Sequence, residues 1–505
     1  MRRSLVTGAL CAAALAVACR RPAAPPSLTV SVPFQVDTLD PHLHDRLGYA
    51  TVAGHFYEPL VALDAEMGIR PALAERWSTP DPLTWVFRLR AGARFHDGHE
   101  LTAEDVVHTF ERLRKDPALS LGIYAVQVES VRALSAREVE VRTSRPAAVL
   151  LNKLAGIPVV GRAEPSDLTL RPNGTGPYRL VRFEKDRVVM ERRGDRDGSE
   201  PQVAGVTFLL GRGAEEAAED VLSGRSQLAV CSSREAVRKL GGRPGVTVLR
   251  RAELFVKYLA FDVRAHPTPF VAGPRNPFAS PEVRQAVSLL VDRRALAAGL
   301  PAFAVPAHQL VPATIFGHDP ALPDLPHDPS RALALLQKAG FGSGFSVTLH
   351  TRRHLAETAR RVAEQLAPAG IRVEVAELPE AAFFELASRG GLSLFLTGLG
   401  CASGDASDFL DAALHTVDER RRLGRANYGR FSDPSLDAEI EASGEVLVQV
   451  ARRDALQRIL RRARDAYAWL PLTRDEVVYA VAAPFTFRPR ANSTILASEV
   501  SLATP

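Results

Sequence analysis

Residues 83–113 constrain the fold of this chain more than any other stretch. They begin with "LTWVFRLR", in which Trp85, Phe87 and Leu89 occupy every second position. This period of two is typical of a strand with one buried face. The Asp-Gly pair of "HDGHE" then supplies the positive-φ position that a tight bend needs. A segment with helical spacing follows, so the stretch predicts a strand, a turn and a helix.

The same stretch is rich in groups that could do chemistry. Thr102 is the expected N-cap of the helix, and Asp105 stands three residues later at the capping-box position. Glu104 lies in the first turn, where an acidic residue offsets the helix dipole. His96 and His99 flank the turn outside the helix, so they share no helical face for a metal ion. We therefore interpret the cluster as structural and not as catalytic or metal-binding.

The length of the chain predicts more than one core. At 505 residues it exceeds the size at which a single hydrophobic core stops growing, which favours two or three lobes. The 63 basic and 58 acidic residues are spread along the whole chain. A nucleic-acid-binding protein more often concentrates its positive charge in a stripe, so we expect no nucleic-acid partner.

The N-terminus has the pattern of a secretory leader. In "MRRSLVTGALCAAALAVAC", two arginines precede an apolar run too short to span a bilayer comfortably, so residues 1–18 are predicted to be a signal peptide. The ending "AVAC" resembles a bacterial lipobox, in which the leader is cut before a cysteine that becomes lipidated, here Cys19. The alternative is cleavage after Ala18 without lipid. Residues 19–27 are Pro-rich and suit a tether, which predicts a membrane-anchored lipoprotein in the periplasm or at the cell surface.

Motifs that carry chemistry are scarce. Three Gly-rich spots, at 174, 211 and 398, lack the third glycine of the dinucleotide fingerprint and the GK[ST] of a P-loop. There is no GxSxG elbow and no HExxH helix. His42 and His44 stand two apart in a loop, a spacing that is more often incidental than metal-binding. We therefore predict no catalytic residue, cofactor or metal site, and the missing nucleophile motifs oppose the alternative of a secreted hydrolase.

Two cysteines, Cys231 and Cys401, lie outside the leader and Cys19. Two isolated cysteines do not make a disulfide framework, and no CxxC spacing for zinc is present. The sequence leaves open whether they are free or form one bridge.

Six stretches together point to a known family. They are "LDPH" (39–42), "YEPLV" (57–61), "LAERWSTPDPLTWVFRLRAGARFHDGHELTAEDVVHTFERL" (73–113), "GTGPYRLVRF" (174–183), "SPEVRQAVSLLVDRRAL" (280–296) and "FSDPSLDAEIEA" (431–442). In this order they resemble the family 5 extracytoplasmic solute-binding proteins of ABC importers, the group of periplasmic oligopeptide- and dipeptide-binding proteins. The resemblance runs from about residue 28 to about 490.

The resemblance implies an α/β fold, a two-lobed periplasmic-binding-protein clamp (type II-like) with an extra β-rich subdomain. Ligand would lie between the lobes, which close by a hinge motion at chain crossings near Asp262 and Arg474. The protein would act as a monomer. The implied boundaries are lobe I at 27–58, 175–262 and 475–505, the extra subdomain at 59–174, and lobe II at 263–474.

The implied function is that of a binding protein and not of an enzyme. A peptide or similarly sized solute would be captured and delivered to the permease subunits of an ABC importer. Two alternatives stay open: a non-peptide solute such as an oligosaccharide or a chelated metal, and a stand-alone sensor or scaffold without transport.

The resemblance also marks a departure from the family pattern. In members that hold peptides, an aspartate of lobe II anchors the free amine, and here that position is Ala402. Asp405 and Asp408 are nearby carboxylates, which either take over the role or cap a helix that begins near Phe409. A buried ammonium without a partner is costly. Ordinary free-amine di- and tripeptides are therefore expected to bind weakly.

The ligand would then be neutral or blocked at that end, or be seated by apolar contact with Leu399 and Cys401. The full set of ligand-binding residues that the resemblance implies is Val36, Tyr57, Leu399, Gly400, Cys401, Ala402, Asp405 and Asp408.

Overall fold

The computed structural model describes residues 26–163, 168–194 and 200–503. The predicted signal peptide, the lipidation site Cys19 and most of the tether lie outside the described residues. Within those residues, none of the helices combines the length and the apolar character that crossing a membrane requires.

The described chain alternates strands and helices. Its strands are β1 Ser27–Ser31, β2 Val61–Leu63, β3 Ile69–Pro71, β4 Ala74–Asp81, β5 Thr84–Leu89, β6 Val128–Ser135, β7 Glu138–Thr143, β8 Tyr178–Glu184, β9 Arg187–Arg192, β10 Gly205–Leu209, β11 Leu228–Val230, β12 Val246–Ala252, β13 Val256–Phe261, β14 Ala304–Pro306, β15 Phe345–Arg352, β16 Ile371–Leu378, β17 Leu394–Leu399, β18 Trp469–Ala482, β19 Phe485–Thr486 and β20 Ser501–Leu502. Its α-helices are α1 Leu47–Phe56, α2 Ala103–Lys115, α3 Leu150–Leu154, α4 Ala214–Leu222, α5 Arg234–Leu240, α6 Pro281–Leu290, α7 Arg293–Gly299, α8 Pro329–Lys338, α9 Ala356–Leu366, α10 Glu380–Ser388, α11 Ser407–Phe409, α12 Pro434–Glu445 and α13 Gln449–Asp465.

One long strand, β18, joins two sheets. The strand order is β16-β15-β17-β13-β18-β11-β1-β10-β9-β8, and β12 and β14 also pair with β18. The first part of β18 pairs with β13, and its last part, from Glu476 to Ala482, pairs with β12. We call the half built on β1 and β8–β12 lobe I, and the half built on β13–β17 lobe II. Because both halves share β18, that strand forms one arm of a hinge.

The second arm of the hinge lies earlier in the chain than the sequence predicts. Strand β13, which was assigned to lobe I, pairs with β17 and with the start of β18, so it belongs to the lobe II sheet. Its residues are all buried because Tyr258 packs into one apolar core and Leu259 into another. The chain therefore crosses between the lobes at residues 253–255 and not near Asp262. The other predicted crossing, near Arg474, lies at the middle of β18. Arg474 still pairs with β14, and the residues from Glu476 onward pair with β12 of lobe I.

The predicted strand, turn and helix at 83–113 are confirmed. β5 and its neighbours form a separate sheet in the order β4-β5-β7-β6, and α2 packs its apolar face on it. Trp85, Phe87 and Leu89 are buried in the same core. The capping box of α2 is present, with the backbone N–H of Thr102 donating to Asp105 Oδ2 over 2.8 Å.

The polar groups of this stretch also have structural partners. His96 donates from its backbone N–H to the Gly174 carbonyl (2.9 Å) and from Nε2 to the Gly176 carbonyl (3.1 Å). Burial lowers the pKa of His96 to about 4, which keeps it neutral. A Cβ at Gly174 would lie 2.0 Å from the Phe56 carbonyl oxygen, so the glycine is needed for close approach to the end of α1. The cluster ties the small sheet to lobe I.

The two cysteines and His42 have structural positions as well. Cys231 and Cys401 are both free and buried, so they do not form the one bridge that the sequence leaves open. Arg112 Nη1 lies 2.7 Å from His42 Nδ1, and the opposite ring nitrogen donates to the Pro158 carbonyl over 2.8 Å. Burial lowers the pKa of His42 to about 4. Among the described residues, no group of three His, Cys, Asp or Glu side chains is placed to hold a metal ion.

Candidate ligand-binding cleft

A cavity of about 1040 Å³ opens between the two lobes beside the hinge. Lobe I contributes Tyr57, which follows α1, to the lining. Asn152 of α3, a helix that packs in the same core as the β4-β5-β7-β6 sheet, also lines the cavity. The crossing at 253–255 forms one wall, and the loop after β17 brings Gly400 and Ala402. Sites for drug-sized molecules have volumes of roughly 300–1,000 Å³. The cleft is therefore large enough for a short peptide or a solute of similar size.

Three of the residues predicted from the sequence, Tyr57, Gly400 and Ala402, line this cavity. Ala402 is exposed, and Cys401 between the two loop residues is buried in the lobe II core. Gly400 directly follows β17, and Ala402 begins the turn that comes next. Leu399 likewise packs against the lobe II core. Leu399 and Cys401 thus pack in the lobe II core, whereas Gly400 and Ala402 line the cavity.

Val36 is also placed differently from the prediction. It is buried in the lobe I core with Val30 and Phe208, and it is not part of the cavity lining. Its apolar side chain is stabilised by that packing instead of by a ligand.

Asp405 lies behind the cleft and is already paired. Its two carboxylate oxygens accept hydrogen bonds from Arg452 over 2.5 and 2.8 Å, and both side chains are almost fully buried. Asp405 also accepts from the backbone N–H of Ser407, the first residue of α11. Of the two roles that the sequence leaves open, the structure therefore gives Asp405 the one at the start of the helix. Its carboxylate is not free to hold a ligand amine.

Asp408 faces the loop and not the cavity. Its Oδ2 accepts a hydrogen bond from the backbone N–H of Ser403 over 2.8 Å. Burial raises the pKa of Asp408 to about 6. Lys153 of α3 approaches from the other side: burial lowers the pKa of Lys153, whereas Asp411 and Asp408 raise it. The largely desolvated ammonium group of Lys153 thus lies near two largely desolvated carboxyl groups, those of Asp408 and Asp411, where α3 approaches lobe II.

Two direct hydrogen bonds connect this side of the cleft to lobe II. Asn152 Nδ2 donates to the Ser403 carbonyl over 2.8 Å, and the Ala148 backbone N–H donates to the Gly444 carbonyl over 2.9 Å. Sequence reasoning missed Asn152 and Lys153, because nothing in their local pattern distinguishes them from other polar residues on a short helix.

Most charged groups in the lining already have partners. Glu58 pairs with Arg90 (2.8 Å), Glu200 with Arg192 (3.3 Å), and Glu499 with Arg490 (2.6 Å), and Asp45 accepts from the Tyr124 hydroxyl (2.6 Å). Glu253, at the crossing, also lines the cavity. Burial and the charge of Asp475 raise the pKa of Glu253, and Lys257 opposes them. No motif in the sequence marks this residue.

Sequence relatives of the chain are named as binding proteins. Glutathione-binding protein GsiB of Escherichia coli O6:K15:H31 (strain 536 / UPEC) is 28% identical over 403 residues, which cover 75% of this chain and 76% of the relative. The protein of the same name from Salmonella choleraesuis (strain SC-B67) is 25% identical over 480 residues, with 90% of each chain covered.

A solved structure, HbpA2 from Haemophilus parasuis, matches with a TM-score of 0.83 at 18% identity, covering 95% of this chain and 100% of that one. The likeness confirms the predicted α/β, two-lobed clamp. The family described as bacterial extracellular solute-binding proteins, family 5 Middle, matches residues 68–420, well over half of the chain. The resemblance seen in the sequence is therefore confirmed, and the chain belongs to the family 5 bacterial extracellular solute-binding proteins.

Proposed function

We propose that this protein is the lipid-anchored substrate-binding component of an ABC importer. It captures a peptide or a solute of similar size between its lobes and delivers it to a membrane permease. The observation that carries the proposal is the cavity of about 1040 Å³ beside a hinge made of two chain crossings. A site in that position is enclosed when the lobes approach each other and is released when they separate.

The lining supports a polar, peptide-like solute. Backbone and side-chain polar groups from both lobes reach the cavity, together with apolar surface from Leu254 and Phe255. Sites of this kind combine apolar contact with a few oriented polar groups. Glutathione is one candidate ligand, because the curated relatives are named for binding it.

The ligand can be identified directly. Protein purified under native conditions is denatured, and the released small molecules are analysed by mass spectrometry. A peptide supports the proposal, whereas an oligosaccharide or a metal chelate would replace the ligand class. Calorimetry with the identified molecule then measures its affinity. Failure of every released molecule and of a peptide panel to bind would favour a scaffold without a transported solute.

The clamp motion gives a further expected result. Saturating the cleft with a bound ligand should decrease the radius of gyration measured by small-angle X-ray scattering, because the lobes swing about the crossings at 253–255 and Arg474. Calorimetry on the same sample confirms that ligand is bound. An unchanged radius in a saturated sample would contradict closure by hinge motion.

The anchor is tested at Cys19. Replacing it, Cys19→Ser, should move the mature protein from the detergent phase to the aqueous phase in a phase-partition assay. One acyl chain binds membranes only marginally, and the two or three chains of a bacterial lipoprotein hold it stably. Wild-type protein that already partitions into water would contradict lipid anchoring and favour cleavage after Ala18.

A further inference from the structure

Glu253 occupies a fixed position in the hinge wall of the cleft. Its backbone N–H donates to the Asp475 carbonyl over 2.9 Å, and its own carbonyl accepts from Arg474 Nη1 over 3.2 Å. Both partners belong to β18, the strand shared by the two lobes. The backbone of Glu253 is therefore held by β18, the other arm of the hinge, and the residue lines the cavity.

The carboxylate of Glu253 has no hydrogen bond or ion pair to any part of the chain that the structure describes. Lys257, whose charge lowers the pKa of Glu253, is itself engaged elsewhere: its Nζ donates to Asp475 Oδ1 over 2.6 Å. By contrast, Glu58, Glu200 and Glu499 in the same lining each pair with an arginine. Among the glutamates of the described lining, Glu253 is thus the one without an ion pair to an arginine or lysine side chain.

An unpaired carboxylate in a half-buried place is unfavourable. Burial raises the pKa of Glu253, and the nearby charge of Asp475 raises it further. A cation brought into contact would favour the ionised form and would recover part of the lost solvation. A ligand with a positive charge offers such a partner, because Glu253 lines the cavity that the ligand would occupy.

The space beside Glu253 is open. β13 and β17 are antiparallel, with Val256 opposite Leu399 and Lys257 opposite Gly398. Glu253 precedes β13 and Ala402 follows β17, and both residues line the cavity. Alanine at 402 keeps the side chain small, which leaves cavity volume at this end of the two strands for a ligand group.

We infer that Glu253 seats a positively charged nitrogen of the ligand, so that the solute is cationic or zwitterionic, as a free-amine peptide is. This inference rests on the proposed function and names the ligand class of the same cleft. It replaces the expectation that free-amine peptides bind weakly, because the acidic partner comes from the hinge and not from Asp405 or Asp408.

The test compares free-amine peptides with their acetylated forms, on the wild type and on two variants. Calorimetry is run with a panel of free-amine tripeptides that includes reduced glutathione, and with the same peptides acetylated at the amine. Wild type, Glu253→Gln and the control Glu374→Gln are measured. Glu374 is an exposed glutamate on β16, remote from the cavity lining. Glu253→Gln is expected to weaken free-amine binding roughly ten- to hundredfold, as for a hydrogen bond to a charged group. Acetylated peptides and the control should show no such loss.

Three outcomes would count against the inference in different ways. Equal affinity of wild type and Glu253→Gln for a bound free-amine peptide overturns the cation seat and leaves the proposed function standing. Equal weakening of free and acetylated peptides also overturns the seat, since it shows a loss unrelated to charge. Absence of binding by any member of the panel or by the co-purified molecule overturns the proposed function, and the seat with it.

The ligand-free protein provides a second readout. Burial raises the pKa of the unpaired carboxylate, so its ionised form is disfavoured in the folded protein. Unliganded Glu253→Gln is therefore expected to have a higher melting temperature than wild type at pH 8, well above the ordinary pKa of a glutamate. A lower melting temperature would show that the charge is stabilised within the protein, and this would overturn the seat.

Discussion

Replacing Arg452 with alanine is expected to lower the free energy of unfolding by roughly 3–5 kcal/mol, the usual effect of removing one partner from a buried ion pair. Asp405 would keep its charge in a site that is closed to water, because its side chain is almost fully buried. The Arg452 Nε hydrogen bond to the Ser443 carbonyl, 3.1 Å long, would be lost as well. Urea unfolding at pH 7.5, followed by circular dichroism, measures the change.

Two further variants separate charge from packing. Arg458→Ala removes an exposed arginine of the same helix, α13, and should change stability little. The double variant Asp405→Leu with Arg452→Met removes both charges and should recover much of the loss, because apolar replacement of a buried pair is often neutral. If Arg452→Ala unfolds at the same urea concentration as Arg458→Ala, the pair does not support lobe II.

Local structure could be predicted from the sequence where local rules decide it. The alternation of Trp85, Phe87 and Leu89 and the capping pair at Thr102 and Asp105 each act within a few residues, and the structure shows them as expected. The crossing at 253–255 could not be located in this way. Whether the apolar strand β13 joins lobe I or lobe II depends on its pairing with β17, more than a hundred residues later.

The same distinction applies to the cleft. The sequence points to Gly400 and Ala402 because they lie in a motif that resembles the family pattern, whereas the burial of their neighbours Leu399 and Cys401 depends on packing within lobe II. Asp405 is paired because Arg452 reaches it, and Glu253 lacks an ion pair because Lys257 donates to Asp475 instead. These charge pairings form between segments far apart in the chain, so no local pattern reveals them.

Replacing Gly400 with phenylalanine is expected to lower ligand affinity roughly hundredfold or more, which is about 2.8 kcal/mol or above. A Cβ at Gly400 meets no atom within 4 Å, so the new side chain can enter the cleft without disturbing its walls. The phenyl ring would then occupy volume that the ligand needs. Calorimetry with the co-purified ligand measures affinity, and thermal unfolding by circular dichroism checks that the fold is retained.

The matched control is Gly194→Phe, since Gly194 is exposed and a Cβ there also meets no atom within 4 Å. It lies outside the lining, so binding should be unchanged. Loss of binding in both variants would point to a general effect of an exposed aromatic ring. Wild-type affinity in a folded Gly400→Phe variant would show that ligand binds elsewhere, because a cleft whose wall carries an added phenyl ring cannot accept the same molecule in the same place.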